Sequence, residues 1–508
     1  MHLLQPRQHS RRAFLKRAGQ LAVSGAALPT ALNLAALGEA AAFNSPGDYK
    51  ALVCVFLYGA NDHTNTVVTY DNPSYAQYLA IRGAYSASGG LALPQADLAA
   101  TLLLPTAVPV DSLGVSRQFA FNPAMTRLAS LFNSGKVAVQ LNVGPLVAPL
   151  TRDQYNSTDR KAYPRPPQLF SHNDQQSIWQ SSSPEGARVG WGGNIGDLAL
   201  AANGGSSFTC INASGNAVFL SGDQALPYQV TTSGAVRINA AYVSASNVAS
   251  STYGSAAVTN ALRGLVQQTR THKLEHAYNR VVARSIAAEG AISSALAATT
   301  ATTFTFPSGN SLADQLKVVA RLISARAALG AQRQVFMVSL GGFDTHDFLA
   351  RDHGGFRDAG NAIIPGLMGK VSDAMAAFHD ATVTMGIADK VTTFTASDFG
   401  RTLTSNGDGS DHGWGSHHLV MGGAVRGQRF FGVAPPISVS DAKVGNDYRP
   451  ENQWHVGQGR LLPTTSVAQF GATLARWFGV AESEMESVFP TIGRFSGSYA
   501  SGYVGFMG

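Results

Sequence analysis

Between Thr395 and Gly427 the sequence reads TASDFGRTLTSNGDGSDHGWGSHHLVMGGAVRG, which places three Asp, three His and two Arg among eight Gly. The chain as a whole is only 13% charged, so this is a local concentration. His412, His417 and His418 fall within seven residues, and Asp398, Arg401 and Asp411 precede them. Imidazoles and carboxylates together form a mixed nitrogen and oxygen donor set. Such a set suits zinc, manganese or another divalent ion better than a metal that seeks thiolates. Asn406, Ser410 and Asp411 can also serve as turn residues around Gly407, Gly409 and Gly413.

Three further motifs carry groups of the same kind. In GGFDTHD, Asp344 and His346 stand two residues apart, and an extended backbone would put both on one face, as a chelating pair requires. In YGANDHTNTVV, Asp62 follows an apolar run and reads either as a metal ligand or as a cap for the next helix. FSHNDQQSIWQ supplies Ser171 and His172. Its Ser-x-x-Asp pattern is that of a helix cap, whereas a hydroxyl at a helix N-terminus, among free N–H groups, is also suited to attack an anionic ester. Both readings stand. A competing motif is HKLEH, where His272, Glu275 and His276 match a metallopeptidase pattern. At helical spacing, however, Leu274, Tyr278, Val281 and Val282 gather on the side away from both imidazoles, which leaves the pair facing solvent.

The elements that must position these groups are legible as apolar runs. YKALVCVFLYGAND, KVAVQLNVG, RQVFMVSLGGFDTHD and DKVTTFTASDFGR each read as a buried strand that breaks at polar or glycine residues. Leu312, Leu316, Val319, Leu322 and Ile323 recur at helical spacing before Gly330. Apolar strands alternating with helices predict a mostly parallel sheet covered on both faces. Ligands bind outside the carboxyl ends of such strands, and Asp62, Asp344, His346 and Asp398 all lie just past such ends. Residues 201–252, rich in Ser, Gly, Thr and Val, predict a β-rich insertion or lid. A long helical stretch follows over about 258–296.

The first residues concern address rather than fold. Ser10-Arg11-Arg12-Ala13-Phe14-Leu15-Lys16 is a twin-arginine pattern, followed by a small-residue and Leu-rich run and an Ala40-Ala41-Ala42 cleavage site. Residues 1–42 are therefore expected to be a signal for the twin-arginine translocase, with residues 43–508 forming one α/β domain, periplasmic or secreted. The run is too weakly apolar for a span, and no Cys follows it to carry a lipid, so no stable membrane anchor is expected. The formal charge of +6 falls to +2 without the leader, which removes any case for nucleic-acid binding. Cys54 and Cys210 are the only cysteines, too few for an iron–sulfur centre, and read as buried free thiols.

Taken together, FLYGANDHTNTVV, FSHNDQQSIWQ, SLGGFDTHD, the long stretch ending at Gly427 and Phe489-Pro490 resemble a bacterial family, the domain of unknown function numbered fifteen hundred and one. That family is grouped with the alkaline phosphatases and sulfatases. The resemblance implies a three-layer α/β/α sandwich of alkaline-phosphatase type and a metal-dependent hydrolase acting on a small anionic ester, phosphate or sulfate. Carried over by position, it implies a divalent ion held by Asp62, Asp344, His346, Asp398 and His412. Ser171 would be the nucleophile beside His172, Arg401 the group that holds the anion, and His417 a further ligand or proton donor. No Cys stands near Ser171 to become a formylglycine, so a standard sulfatase is not implied. A non-catalytic binding or assembly protein on the same fold is the alternative.

Overall fold

Lys50–Leu57 is apolar at nearly every position because both of its faces are covered. In this computed structural model, which describes residues 48–85, 89–243, 252–299, 304–495 and 504–508, that strand lies inside a ten-stranded sheet. The expected signal at residues 1–42 lies outside the described residues. The strands of the sheet are β1 (Lys50–Leu57), β2 (Val137–Gly144), β3 (Cys210–Asn212), β4 (Tyr228–Thr231), β5 (Gly234–Ala235), β6 (Arg333–Leu340) and β7 (Val391–Ser397). The chain then forms a separate hairpin of β8 (Arg401–Ser405) and β9 (Ser410–His412). It returns to the sheet as β10 (Ser416–Met421), β11 (Arg429–Phe431) and β12 (Thr465–Ser466). The order is β11-β2-β10-β7-β1-β6-β3-β4-β5, with β12 also on β2. β1 pairs in parallel with β6 and β7, while β10 runs antiparallel to both β2 and β7.

The main helices are α1 (Asn72–Arg82), α2 (Thr126–Asn133), α3 (His172–Ser181), α4 (Trp191–Ala199), α5 (Ala256–Leu265), α6 (Lys273–Ala298), α7 (Ser311–Ser324), α8 (Gly366–Thr384) and α9 (Val467–Phe478). Successive side chains of β1 enter opposite cores, as the two-residue period of a strand requires. Val53 and Val55 pack with Leu316 of α7 and Met375 of α8, whereas Cys54 and Phe56 pack with Ile195 of α4 and Phe470 of α9. Helices thus cover both faces, which is why the strand sequence shows no polar alternation. Burying each large apolar side chain contributes roughly 1.5–3 kcal/mol. Cys54 and Cys210 are buried and unpaired, as expected.

Two expectations about the insertion change. The short strands β3, β4 and β5 do not build a separate lid; they extend the central sheet from the free edge of β6. That placement satisfies the backbone groups of a buried edge, which would otherwise be left unpaired. The long helical stretch is two helices, α5 and α6, with 266–272 between them.

Candidate metal centre

The parallel register sets Leu57, Leu340 and Ser397 level with one another, so the segments after β1, β6 and β7 leave the sheet at one edge. Gly59 makes the closest approach. Its φ of +109° suits glycine, and a Cβ there would collide with the backbone nitrogen of Asp344. The β8–β9 hairpin folds over the same edge, with Arg401 opposite His412. Gly409 sits so tightly on the backbone of His346 that a Cβ would meet its carbonyl oxygen. From the other side, the N-terminus of α3 delivers His172.

Three of these segments, the one after β6, the hairpin and the start of α3, bring three imidazoles and one carboxylate together. His412 Nε2 lies 3.1 Å from His172 Nε2, 2.9 Å from His346 Nε2 and 3.2 Å from Asp344 Oδ1. Asp344 Oδ1 is also 3.2 Å from His346 Nε2, and its Oδ2 is 3.5 Å from His172 Nε2. Donor atoms of His172, Asp344 and His412 all fall within 4.8 Å of one another. The four side chains are half-buried or exposed, so the cluster is open to solvent.

The outer partners decide which nitrogen carries the proton. A neutral imidazole has one N–H and one lone pair. His412 Nδ1 is 2.8 Å from the Phe170 carbonyl oxygen, and a carbonyl only accepts, so the proton belongs on Nδ1. His172 Nδ1 is 2.6 Å from Asp398 Oδ2, and His346 Nδ1 is 3.3 Å from Asp411 Oδ1. Each ring is therefore oriented by an oxygen acceptor, the arrangement that fixes the tautomer of a metal-ligating histidine. Three Nε2 lone pairs then face one another and the Asp344 carboxylate. A cation or a proton must sit among them to relieve that repulsion. Asp398 accepts a hydrogen bond from His172 and raises its pKa, which outweighs burial, so without a metal His172 can hold that proton. Burial, assisted by the charge of His172, lowers His412 and keeps it neutral. Burial tends to raise Asp344, but its hydrogen bond from Arg401 and that residue's charge bring it below the usual carboxylate range. Three imidazoles and one carboxylate fit zinc well, and they are too rich in nitrogen for calcium or magnesium.

Of the residues singled out from the sequence, Asp344, His346 and His412 lie together. His172, expected beside a nucleophile, stands among the donor atoms. Asp398 is buried and turned toward His172, with Gln176 Nε2 and the Gly59 N–H also donating to its Oδ2 at 2.8 and 3.2 Å. It orients His172 and stands outside the donor group. Asp62 lies elsewhere, in a buried ion pair with Arg82 at 2.6 Å; burial raises its pKa, but Arg82 lowers it further and holds it ionised. Arg401 is fully buried, and its donors are committed to Ser410, Gly59, Phe343 and, at 2.9 Å, Asp344. It holds Asp344 in place and has no fork left for an anion. His417 points inward from β10, where its Nδ1 accepts from the Asn142 N–H at 3.1 Å. Ser171 precedes α3 but makes no side-chain cap; its hydroxyl donates to Asp174 Oδ2 at 2.9 Å. His272, Glu275 and His276 take no part in the cluster.

Arg460 escaped the sequence reading. Its Nε donates to the His412 carbonyl at 2.7 Å, and its guanidinium lies 5.3 Å from the centre of the Phe170 ring. A lone Arg in a loop carries no pattern that would have marked it.

The glycine contact yields a direct expectation. Gly409→Ala should push the β8–β9 hairpin off His346 and draw His412 away from Asp344, weakening zinc binding by roughly 10–100-fold. Competition against a chromophoric chelator measures this; unchanged affinity would show that the contact does not set the position of His412.

Fold and site together define a mixed α/β protein with a candidate metal centre at the carboxyl edge of a mostly parallel sheet. The chain belongs to the family described as protein of unknown function (DUF1501), whose family model matches residues 49–481, a span that includes every residue of the cluster. No curated protein matches it.

Proposed function

We propose that this protein is an exported, metal-dependent hydrolase of small anionic esters, phosphate or sulfate, on an alkaline-phosphatase-like fold. The observation that carries the reading is the convergence of His172, His346, His412 and Asp344, each imidazole oriented by an oxygen acceptor at its Nδ1. A zinc or manganese ion bound there supplies the positive charge that an anionic ester needs. Ser171 remains the nucleophile of this proposal. Its hydroxyl is not occupied in capping α3 and already donates to Asp174. Attack by Ser171 Oγ on phosphorus or sulfur passes the hydroxyl proton to the Asp174 carboxylate, forms a seryl ester and breaks the bond to the leaving oxygen, which takes a proton from water to become the alcohol; the hydroxide left behind cleaves the seryl ester, and Asp174 returns its proton to Ser171 Oγ. Arg401 keeps Asp344 in place instead of binding the anion, and Arg460, which donates to the His412 carbonyl, is a further cation beside the cluster.

The test is turnover of aryl phosphates and aryl sulfates by zinc- and manganese-loaded protein, beside Ser171→Ala. The variant is expected to keep its metal and lose about 1000-fold or more in turnover. Full turnover in the variant removes Ser171 from its role. Metal-loaded wild type with no turnover on the panel would move the reading to a binding or assembly protein.

A further inference from the structure

α6 carries an apolar stripe past the edge of the fold. Leu274, Tyr278, Val281, Ser285, Ala288 and Ile292 follow one another at alternating spacings of four and three, which places them along a single line of the helix. At the C-terminal end of that line, Ala288 and Ile292 are buried in the core. At the N-terminal end, Leu274, Tyr278 and Val281 are 76%, 65% and 51% exposed. The N-terminal half is held by a different face, through Val282 and Ile286 against Ala241 and Val266. The exposed line therefore has nothing of the described chain over it.

One border of this line is cationic, while Glu275 is the single carboxylate on the other side of its first turn. Lys273, Arg280 and Arg284, spaced by seven and four, form an exposed row beside the apolar line. None of the three is within ion-pair distance of a carboxylate among the described residues, whereas Glu289 is taken up by Arg237 at 2.9 Å. A two-fold contact between copies along this line would set those cations against their own counterparts, which disfavours self-association. An anionic surface satisfies both features, because apolar side chains enter the headgroup boundary while Lys and Arg reach the phosphates. α6 is also the one described helix long and apolar enough to cross a membrane by length and composition, but its packed C-terminal half restricts it to lying along one.

We propose that the N-terminal half of α6 is a docking surface for an anionic lipid bilayer, with Leu274, Tyr278 and Val281 inserted and Lys273, Arg280 and Arg284 on the headgroups. The proposal is independent of the hydrolase reading. It is tested by co-sedimentation of the full chain with vesicles of phosphatidylglycerol and phosphatidylcholine in equal parts, and with pure phosphatidylcholine. Two variants accompany the wild type, Leu274→Ser/Tyr278→Ser/Val281→Ser and Arg280→Glu/Arg284→Glu, both checked by thermal melts for an intact fold. The wild type should pellet with the anionic vesicles alone, and each variant should bind them about tenfold or more weakly. Because all three proteins share residues 1–42, the difference between them reports on α6. Failure of the wild type to pellet, or equal pelleting of all three, overturns the proposal. A wild-type dimer by light scattering that the triple Ser variant abolishes would instead assign the surface to a second copy.

Discussion

His412→Ala is expected to strip the protein of bound zinc, with affinity falling by at least about 100-fold. The reason is position. Of the three clustered imidazoles, His412 is the one whose Nε2 lies within 3.2 Å of the donor atoms of all three other cluster residues, His172, His346 and Asp344. Its ring is fixed by the Phe170 carbonyl, and its backbone is fixed by Arg460 and by the hairpin partner Arg401. Alanine removes the one imidazole that stands beside all three other residues of the cluster. His172→Ala should act similarly. Asp398→Asn should be milder, about 10–100-fold, because it removes the charge that orients His172 without removing a ligand. Asp62→Asn and His417→Gln serve as the contrast: both positions lie outside the cluster, and metal content should stay at the wild-type level. Elemental mass spectrometry after dialysis against buffered zinc decides the matter. Full metal in His412→Ala, or equal loss in all five variants, would sink the assigned centre.

The sheet was legible because its strands are buried on both faces and so appear as unbroken apolar runs; β1, β2, β6 and β7 all fall where those runs predict. The carboxyl edge followed from the parallel order, and Asp344, His346 and Asp398 were found by it. What sequence could not supply was the partner of each charge. Asp62 and Asp398 look alike as strand-end carboxylates, yet Arg82, at the end of α1, takes the first, and His172 takes the second. Arg401 looked like an anion fork until the hairpin wrapped Ser410 around it. The three histidines at 412–418 looked equivalent, but His417 and His418 belong to the buried strand β10 and point to opposite faces. His417 lies beside His63, and His418 lies against Trp179 and Phe470. Only His412, outside the sheet, reaches the cluster. The strands of the insertion were recognised as strands, but their pairing with the edge of β6 is a long-range choice that local pattern does not encode.

Those inward histidines set the second large expectation: folding stability should fall steeply as pH drops from about 6.5 to about 4. Burial holds His63, His353 and His455 down at about 4 and His418 at about 3, against an ordinary value near 6.5. In this window the unfolded chain binds protons that the folded chain refuses, so acid favours unfolding; above it all four are neutral in both states and stability is complete. Each such proton costs about 1.4 kcal/mol per pH unit, and four together cost roughly 5 kcal/mol per pH unit. A total stability of roughly 5–15 kcal/mol cannot absorb that for long, and the chain should unfold near pH 5. The carboxylates held below their ordinary range, Asp62, Asp71 and Asp344, act in the same direction but only at lower pH, below about 4. The histidine window is therefore separable. Urea melts at pH 7, 6 and 5 measure the slope, and His353→Gln identifies its source. That residue is fully enclosed, with Nε2 3.3 Å from Asn61 Oδ1, and a glutamine keeps a donor there without a titrating group. The variant should lose about one proton's worth of slope, about 1.4 kcal/mol per pH unit, whatever it does to stability at pH 7. A wild type equally stable at pH 7 and pH 5 would mean that these rings are charged, or reached by water, in the folded protein, and the polar core behind the histidine cluster would need a different account.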